Sequence, residues 1–178
     1  MENEKKIELF NQKNVTSRRS EKGYGFSYFA KKDFKPGDVV MMGIGKTIDH
    51  QTYHISVQID VKKHYIPKKW TGKYWNHSCD PNTYVKTRSD GFPNLIANKK
   101  INKGDEITYS YWMSELFWIK QADESHVKCR CGSKKCKHKI LSFSQLSEID
   151  KKNVRNSHKC SRYLLKRGVD NLTRHLKI

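Results

Sequence analysis

Three of the chain's five cysteines fall within one short stretch, Cys129-Arg130-Cys131-Gly132-Ser133-Lys134-Lys135-Cys136. Cysteines two apart in sequence rarely pair with each other, and an odd total is a poor basis for a disulfide framework. Thiolates gathered on a tight turn that contains a glycine can instead converge on one ion. Any fold proposed for this chain must therefore leave room for a loop closed by metal.

The rest of the sequence is a patchwork of short β signals. Tyr24-Gly25-Phe26-Ser27-Tyr28-Phe29-Ala30 is aromatic-rich and ends at the turn Lys35-Pro36-Gly37-Asp38, after which Val39-Val40-Met41-Met42 is apolar. This reads as two strands around a turn. Ile55 to Asp60 alternates apolar and polar, the period of a half-buried strand, and His64-Tyr65-Ile66-Pro67 follows as another. A further pair, Asn94 to Ala97 and Glu106 to Tyr111, flanks the turn Asn102-Lys103-Gly104-Asp105. No alternation of strands with long helices appears, which argues against a doubly wound α/β fold.

At 178 residues with 35% hydrophobic content, the chain suits one compact core. The polar residues before about 20 read as an arm or a short first helix. Leu165, Val169, Leu172 and Leu176 recur at helical spacing, so a C-terminal helix is expected from about Asn156, with Gly168 as a break. No run is apolar enough to span a membrane, and the N-terminus lacks a secretory stretch. An intracellular chain is expected, with the nucleus as one compartment and export from a pathogen into a host cell as another.

Three segments then line up in an order that resembles the SET family of protein-lysine methyltransferases. They are Gly23-Tyr24-Gly25 with Phe29-Ala30, the heptad Asn76-His77-Ser78-Cys79-Asp80-Pro81-Asn82, and Gly104-Asp105-Glu106-Ile107-Thr108-Tyr109-Ser110-Tyr111. A lone Gly-x-Gly is weak, and a second one, Gly43-Ile44-Gly45, has no matching context; the heptad is far more specific. Cys129 through Cys136 resembles the family's post-SET motif. The layout is most similar to small stand-alone SET proteins.

That resemblance implies a mainly β fold with short helices, in which several small sheets surround a pseudoknot where the Asn76 and Tyr109 segments cross. Its division would be an N-terminal arm (1–19), a SET domain (20–114), a post-SET segment with a zinc site (115–140) and a C-terminal helical extension (141–178). It implies transfer of a methyl group from S-adenosylmethionine to a lysine side chain. Tyr111 would be the catalytic tyrosine, and Tyr109 the switch that limits how many methyl groups are added. Gly23, Tyr24, Gly25, Asn76 and His77 would bind the cofactor. Cys79, Cys129, Cys131 and Cys136 would hold one structural zinc ion with four thiolates, leaving no vacancy for His126 or His138 and leaving Cys160 as a plain helix thiol.

Each assignment has a plainer reading beside it: a buried strand tyrosine for Tyr111, cross-braces for Asn76 and His77, core packing for Trp112, Phe117 and Trp118. Ser110 stands where the family usually has an acid, so a hydrogen bond or charge is expected to be missing there. Tyr74-Trp75 and Lys137-His138 also depart from the family pattern.

Lys and Arg number 36 against 18 Asp and Glu, a formal charge of +18. Such a surface attracts polyanions, although composition alone also allows a merely solvated one. Expected partners are a protein with an exposed lysine, such as a histone tail or nucleosome, and nucleic acid; no membrane partner is expected. The alternative is a catalytically weak SET-like module that binds nucleic acid or chromatin.

Overall fold

The computed structural model describes residues 2–23, 25–52, 55–117 and 128–166. Tyr24, Trp118, His126 and the stretch holding Val169, Leu172 and Leu176 lie outside them.

The N-terminal residues form helix α1 (Glu2–Asn14), which runs directly into β1 (Val15–Arg19). β1 pairs antiparallel with β2 (Phe26–Ala30), Val15 opposite Ala30 and Arg19 opposite Phe26. β3 (Val39–Met42) is an edge strand, and an exposed edge leaves backbone groups unpaired. Helix α1 covers that edge with two buried amides. Asn11 accepts from Met42 N and donates to Met42 O, both at 2.8 Å, while Asn14 donates to Val40 O at 3.0 Å. The polar N-terminal residues are thus part of the body.

Next come β4 (Gly45–Ile48), β5 (Val57–Asp60) and β6 (Lys63–Pro67), which form one antiparallel sheet with β6 in the centre. After the two-residue β7 (Asn76–His77), β8 (Thr83–Thr87) and β9 (Pro93–Ala97) join β3 in the order β3-β9-β8. The last strand, β10 (Thr108–Tyr109), lies parallel to β7, with Thr108 opposite Asn76 and Tyr109 opposite His77. The core is shared between sheets and includes Tyr28, Val40, Met41, Val85, Leu95, Ile101 and Ile107.

Beyond β10 the chain turns through a 3-10 helix at Tyr111–Met113, and residues 113–116 are clamped by the C-terminal part. Phe143 N donates to Glu115 O at 2.8 Å, Ser144 N to Leu116 O at 2.9 Å, Ser161 N to Met113 O at 2.7 Å, and the Tyr163 hydroxyl to Ser114 O. Helix α2 (Glu148–Ser157) is capped by Ser147 at its start and ended by His158 in the left-handed conformation. The expected helix start at Asn156 is therefore where a helix stops. Leu165, the first residue of the leucine period, belongs to a separate 3-10 turn, Arg162–Leu165, and the rest of that period lies outside the described residues. Cys160 lies between these elements, 2% exposed, and burial pushes its thiol up to about 12.

Candidate functional site

The parallel pairing of β7 with β10 brings two distant motifs together. Ser78 N donates to Tyr109 O at 3.0 Å; Asn82 accepts from Thr108 N at 3.0 Å and donates to Glu106 O at 2.8 Å. Ser110 Oγ donates to Ser78 O at 2.6 Å. Ser110 supplies no charge, but it does supply a hydrogen bond, so that part of the expectation is corrected: a buried serine reaches a backbone acceptor that the β7–β10 pairing brings within range.

Tyr109 and Tyr111, two residues apart, present their rings on one side at 5.2 Å between centroids. Tyr109 is buried and sits edge-on to Trp75 at 6.1 Å. The Tyr111 hydroxyl donates to Trp75 O at 3.2 Å, and its ring lies edge-on to His77 at 5.3 Å. An apolar aromatic wall with hydroxyls along it suits a long aliphatic chain that ends in nitrogen.

His77 is buried, and burial holds its pKa down at about 4. Its Nδ1 accepts from Tyr111 N at 3.3 Å, which leaves the ring proton on Nε2, 3.4 Å from Cys79 Sγ. The imidazole is a strut between Tyr111 and Cys79. Asn76 likewise braces β7 to β2, donating to Phe26 O at 2.8 Å and to Ser27 Oγ. Both side chains thus make the cross-strand contacts of the plainer reading.

Gly23 and Gly25 have φ of +79° and +94°, and a Cβ added to either would meet nothing within 4 Å. The turn is shaped for glycine and opens onto free space. Lys22 ties it to the β10 approach through Glu106 at 2.8 Å. The second Gly-x-Gly behaves otherwise: a Cβ on Gly43 would collide with the Tyr65 hydroxyl and the Trp75 ring, so this glycine serves packing.

The Sγ atoms of Cys79, Cys129, Cys131 and Cys136 all lie within 4.8 Å of one another, with Cys79 and Cys129 at 3.7 Å. Four thiolates about 2.3 Å from one tetrahedral ion stand about 3.8 Å apart. Lys137 N and His138 N each point at a sulfur at 3.4 Å, from Cys79 and Cys136 respectively, which suits thiolate charge. His138 enters only through its backbone, and Cys160 stays apart in the core. The residues present fit a closed metal site.

Beside this cluster is a cavity of about 210 Å³, lined by His77, Cys79, Trp112, Leu141 and Val154 among others. Trp112 and Phe117 both pack against the core, and Trp112 also lines the cavity. The cavity wall from Leu141 to Val154 was missed in the sequence, because nothing local there signals a ligand.

Residues 25–112 match the family model for the SET domain. The chain carries a SET domain. Among its relatives, SETDB2 of Xenopus tropicalis, a histone-lysine N-methyltransferase, is 34% identical over 39% of this chain and 10% of that protein. A histone-lysine N-methyltransferase of Yarrowia lipolytica, H3 lysine-36 specific, is 29% identical over 63% of this chain and 16% of that protein. ASHH3 of Arabidopsis thaliana, also a histone-lysine N-methyltransferase, is 26% identical over 65% and 35% respectively. The match thus spans about a third or less of the length of each of these curated relatives. KRYPTONITE, solved in complex with mCHG DNA and SAH, shares the SET-domain fold at a TM-score of 0.55, with 22% identity, over 72% of this chain and 29% of that one.

Proposed function

We propose that this chain is an S-adenosylmethionine-dependent protein-lysine methyltransferase with Tyr111 as its catalytic residue and one structural zinc ion. The observation that carries the reading is the β7–β10 pairing, which sets Tyr111 against His77 and Trp75 O, beside both the cavity and the thiol cluster. The relatives' common name supports the reaction class, and the SAH in the KRYPTONITE structure supports the cofactor.

The open glycine turn at Gly23 and Gly25 and the cavity at His77 and Trp112 are the residues that would hold the cofactor. Bound there, it supplies a sulfonium methyl group as electrophile. The protein's part is to present a neutral amine. A free lysine ammonium has a pKa of about 10.4, and desolvation against the Tyr109, Tyr111 and Trp75 rings favours its loss of a proton. The Tyr111 hydroxyl, anchored on Trp75 O, orients the incoming nitrogen, and the wall excludes water. Zinc held by Cys79, Cys129, Cys131 and Cys136 would fix residues 128–139 beside this wall, where they are otherwise tied by the Lys128–Lys139 bridge.

A protein rich in positive charge repels a basic tail unless something anionic intervenes. A nucleosome satisfies both needs, since its DNA attracts the +18 surface while its histone tails offer lysines. The DNA in the KRYPTONITE complex supports that choice. The test is transfer of labelled methyl from S-adenosylmethionine to histones, nucleosomes and unrelated basic proteins. Label on lysine that vanishes with Tyr111→Phe supports the proposal. No label on any substrate, with cofactor binding intact, would replace it with a binding module.

A further inference from the structure

Behind Tyr109 lies a buried carboxylate. Glu115 is 4% exposed. Its Oε1 accepts from Ser114 Oγ at 3.0 Å and Gln58 N at 3.1 Å, and its Oε2 from Gln51 Nε2 at 3.1 Å. These donors are neutral. Gln58 is itself fixed, since its side-chain oxygen accepts from Leu116 N at 2.9 Å. Burying a carboxyl without a counter-ion at that site is unfavourable unless its position serves something.

The direction of the hydrogen bonds shows what it serves. Ser114, fully buried, stands between the carboxylate and Tyr109, with its Oγ 3.4 Å from the Tyr109 hydroxyl. A carboxylate only accepts, and serine has one proton to give. Glu115 Oε1 at 3.0 Å is a nearer acceptor for it than Tyr111 O at 3.5 Å, and with the proton on that side the Tyr109 hydroxyl is left to donate its own to Ser114. The Tyr109 oxygen then keeps a free lone pair beside the Tyr111 and Trp75 rings, where the target amine would have to enter. An acceptor there holds an N–H of a partly methylated amine and keeps the nitrogen lone pair from turning back toward the methyl donor.

Resting on the lysine-methylation reading, we propose that Glu115 is a positioning residue that acts through Ser114 to fix the Tyr109 hydroxyl as an acceptor, and so limits the number of methyl groups added. Burial supports the coupling by pushing the Glu115 carboxyl up to about 7, so its proton changes the chain's direction near neutral pH. The titratable groups that face it are Tyr65 from β6, Tyr109 from β10 and Tyr163 from the C-terminal 3-10 turn, each raised by burial first and by Glu115 in addition.

The test compares wild type, E115Q, S114A and Y109F as full chains with zinc. Mass spectra of the labelled lysine, taken at matched turnover, should show E115Q and S114A raising the share of higher methylation states several-fold, toward that of Y109F. In the Y109F background E115Q should change that share no further. Equal loss of all methylation states, or additive effects on Y109F, would overturn the proposal. If E115Q fails to fold, S114A carries the comparison. A second readout needs no activity: the ¹³Cζ resonance of Tyr109 should move with pH through about 7 in the wild type and stay flat in S114A. A flat wild-type signal sinks the link even where methylation proceeds. A protein that transfers no methyl group sinks both the methylation reading and the product-limiting role, while the Tyr109 signal still reports whether Glu115 orients the hydroxyl.

Discussion

Nε2 of His77 lies 3.4 Å from Sγ of Cys79, while the other nitrogen of the same ring accepts the backbone N–H of Tyr111. One imidazole therefore joins the thiol cluster to the residue proposed for catalysis. Groups that hydrogen-bond a metal ligand fix its orientation, and their loss costs roughly 10- to 100-fold in metal affinity. His77→Phe keeps a ring and removes both nitrogens. Chelator competition should show weaker zinc retention by about that factor, together with a lower rate of methyl transfer. Unchanged retention would mean the ring only fills space.

Cys131→Ser should abolish binding of one zinc per chain, whereas Cys160→Ser should keep it, because Cys160 is packed in the core away from the cluster. Metal analysis of the purified proteins decides this. A chelator should lower the melting temperature of the wild type and leave that of Cys131→Ser unmoved.

Tyr111→Phe should lower methyl transfer by about 10²-fold or more, the scale of losing one positioned polar group. Stability should change by about 1 kcal/mol, since the hydroxyl's hydrogen bond to Trp75 O is lost. Denaturation curves beside the activity assay separate the two effects.

Glu115 makes stability depend on pH. Its carboxyl stands at about 7 in the folded chain against an ordinary 4.5, burial being the cause. Below 4.5 both states hold the proton; as pH rises to about 7 the unfolded chain releases it first, so stability falls, and above about 7 the loss is complete. The gap corresponds to on the order of 3 kcal/mol. Glu115→Gln should remove this slope. His64, held at about 4 by burial against an ordinary 6.5, acts with the opposite sign as pH falls through that window. The quantity to measure is therefore the difference between wild type and Glu115→Gln in urea midpoints from pH 4.5 to 8.

Gly43→Ala should destabilise by about 1–3 kcal/mol, because the added methyl group meets the Tyr65 hydroxyl and the Trp75 ring in a closed core. Tyr65→Phe should be neutral or mildly stabilising, since that buried hydroxyl has no hydrogen-bond partner among the described residues. The pair Gly43→Ala with Tyr65→Phe should recover part of the loss. Thermal unfolding of the three variants checks it.

Most of the strands were legible because their residues announce themselves locally. Val39–Met42, His64–Pro67 and Asn94–Ala97 carry apolar or aromatic runs bounded by turn residues, and β3, β6 and β9 lie there. β1 went unread since Val15-Thr16-Ser17-Arg18-Arg19 is polar and pairs only because β2 lies opposite. Helix α1 was no more than one option, as its apolar content is small and its main contacts are amide bonds to β3. Glu115 offered no signal at all: an acid after an aromatic run looks like surface charge until Phe143, Gln58 and Tyr163 close over it.

What the amino-acid sequence determined by itself was the chemistry at hand: a tyrosine pair, a heptad with its cysteine, a cysteine loop and glycines at a turn, because residue type and short spacing are local properties. Tertiary structure alone decided how these meet. The parallel pairing of β7 and β10 put Tyr111 on His77, the return of the C-terminal part sealed Glu115 behind Tyr109, and Cys79 came within 3.7 Å of Cys129. Such contacts join residues far apart in the chain, and no local period or propensity encodes them.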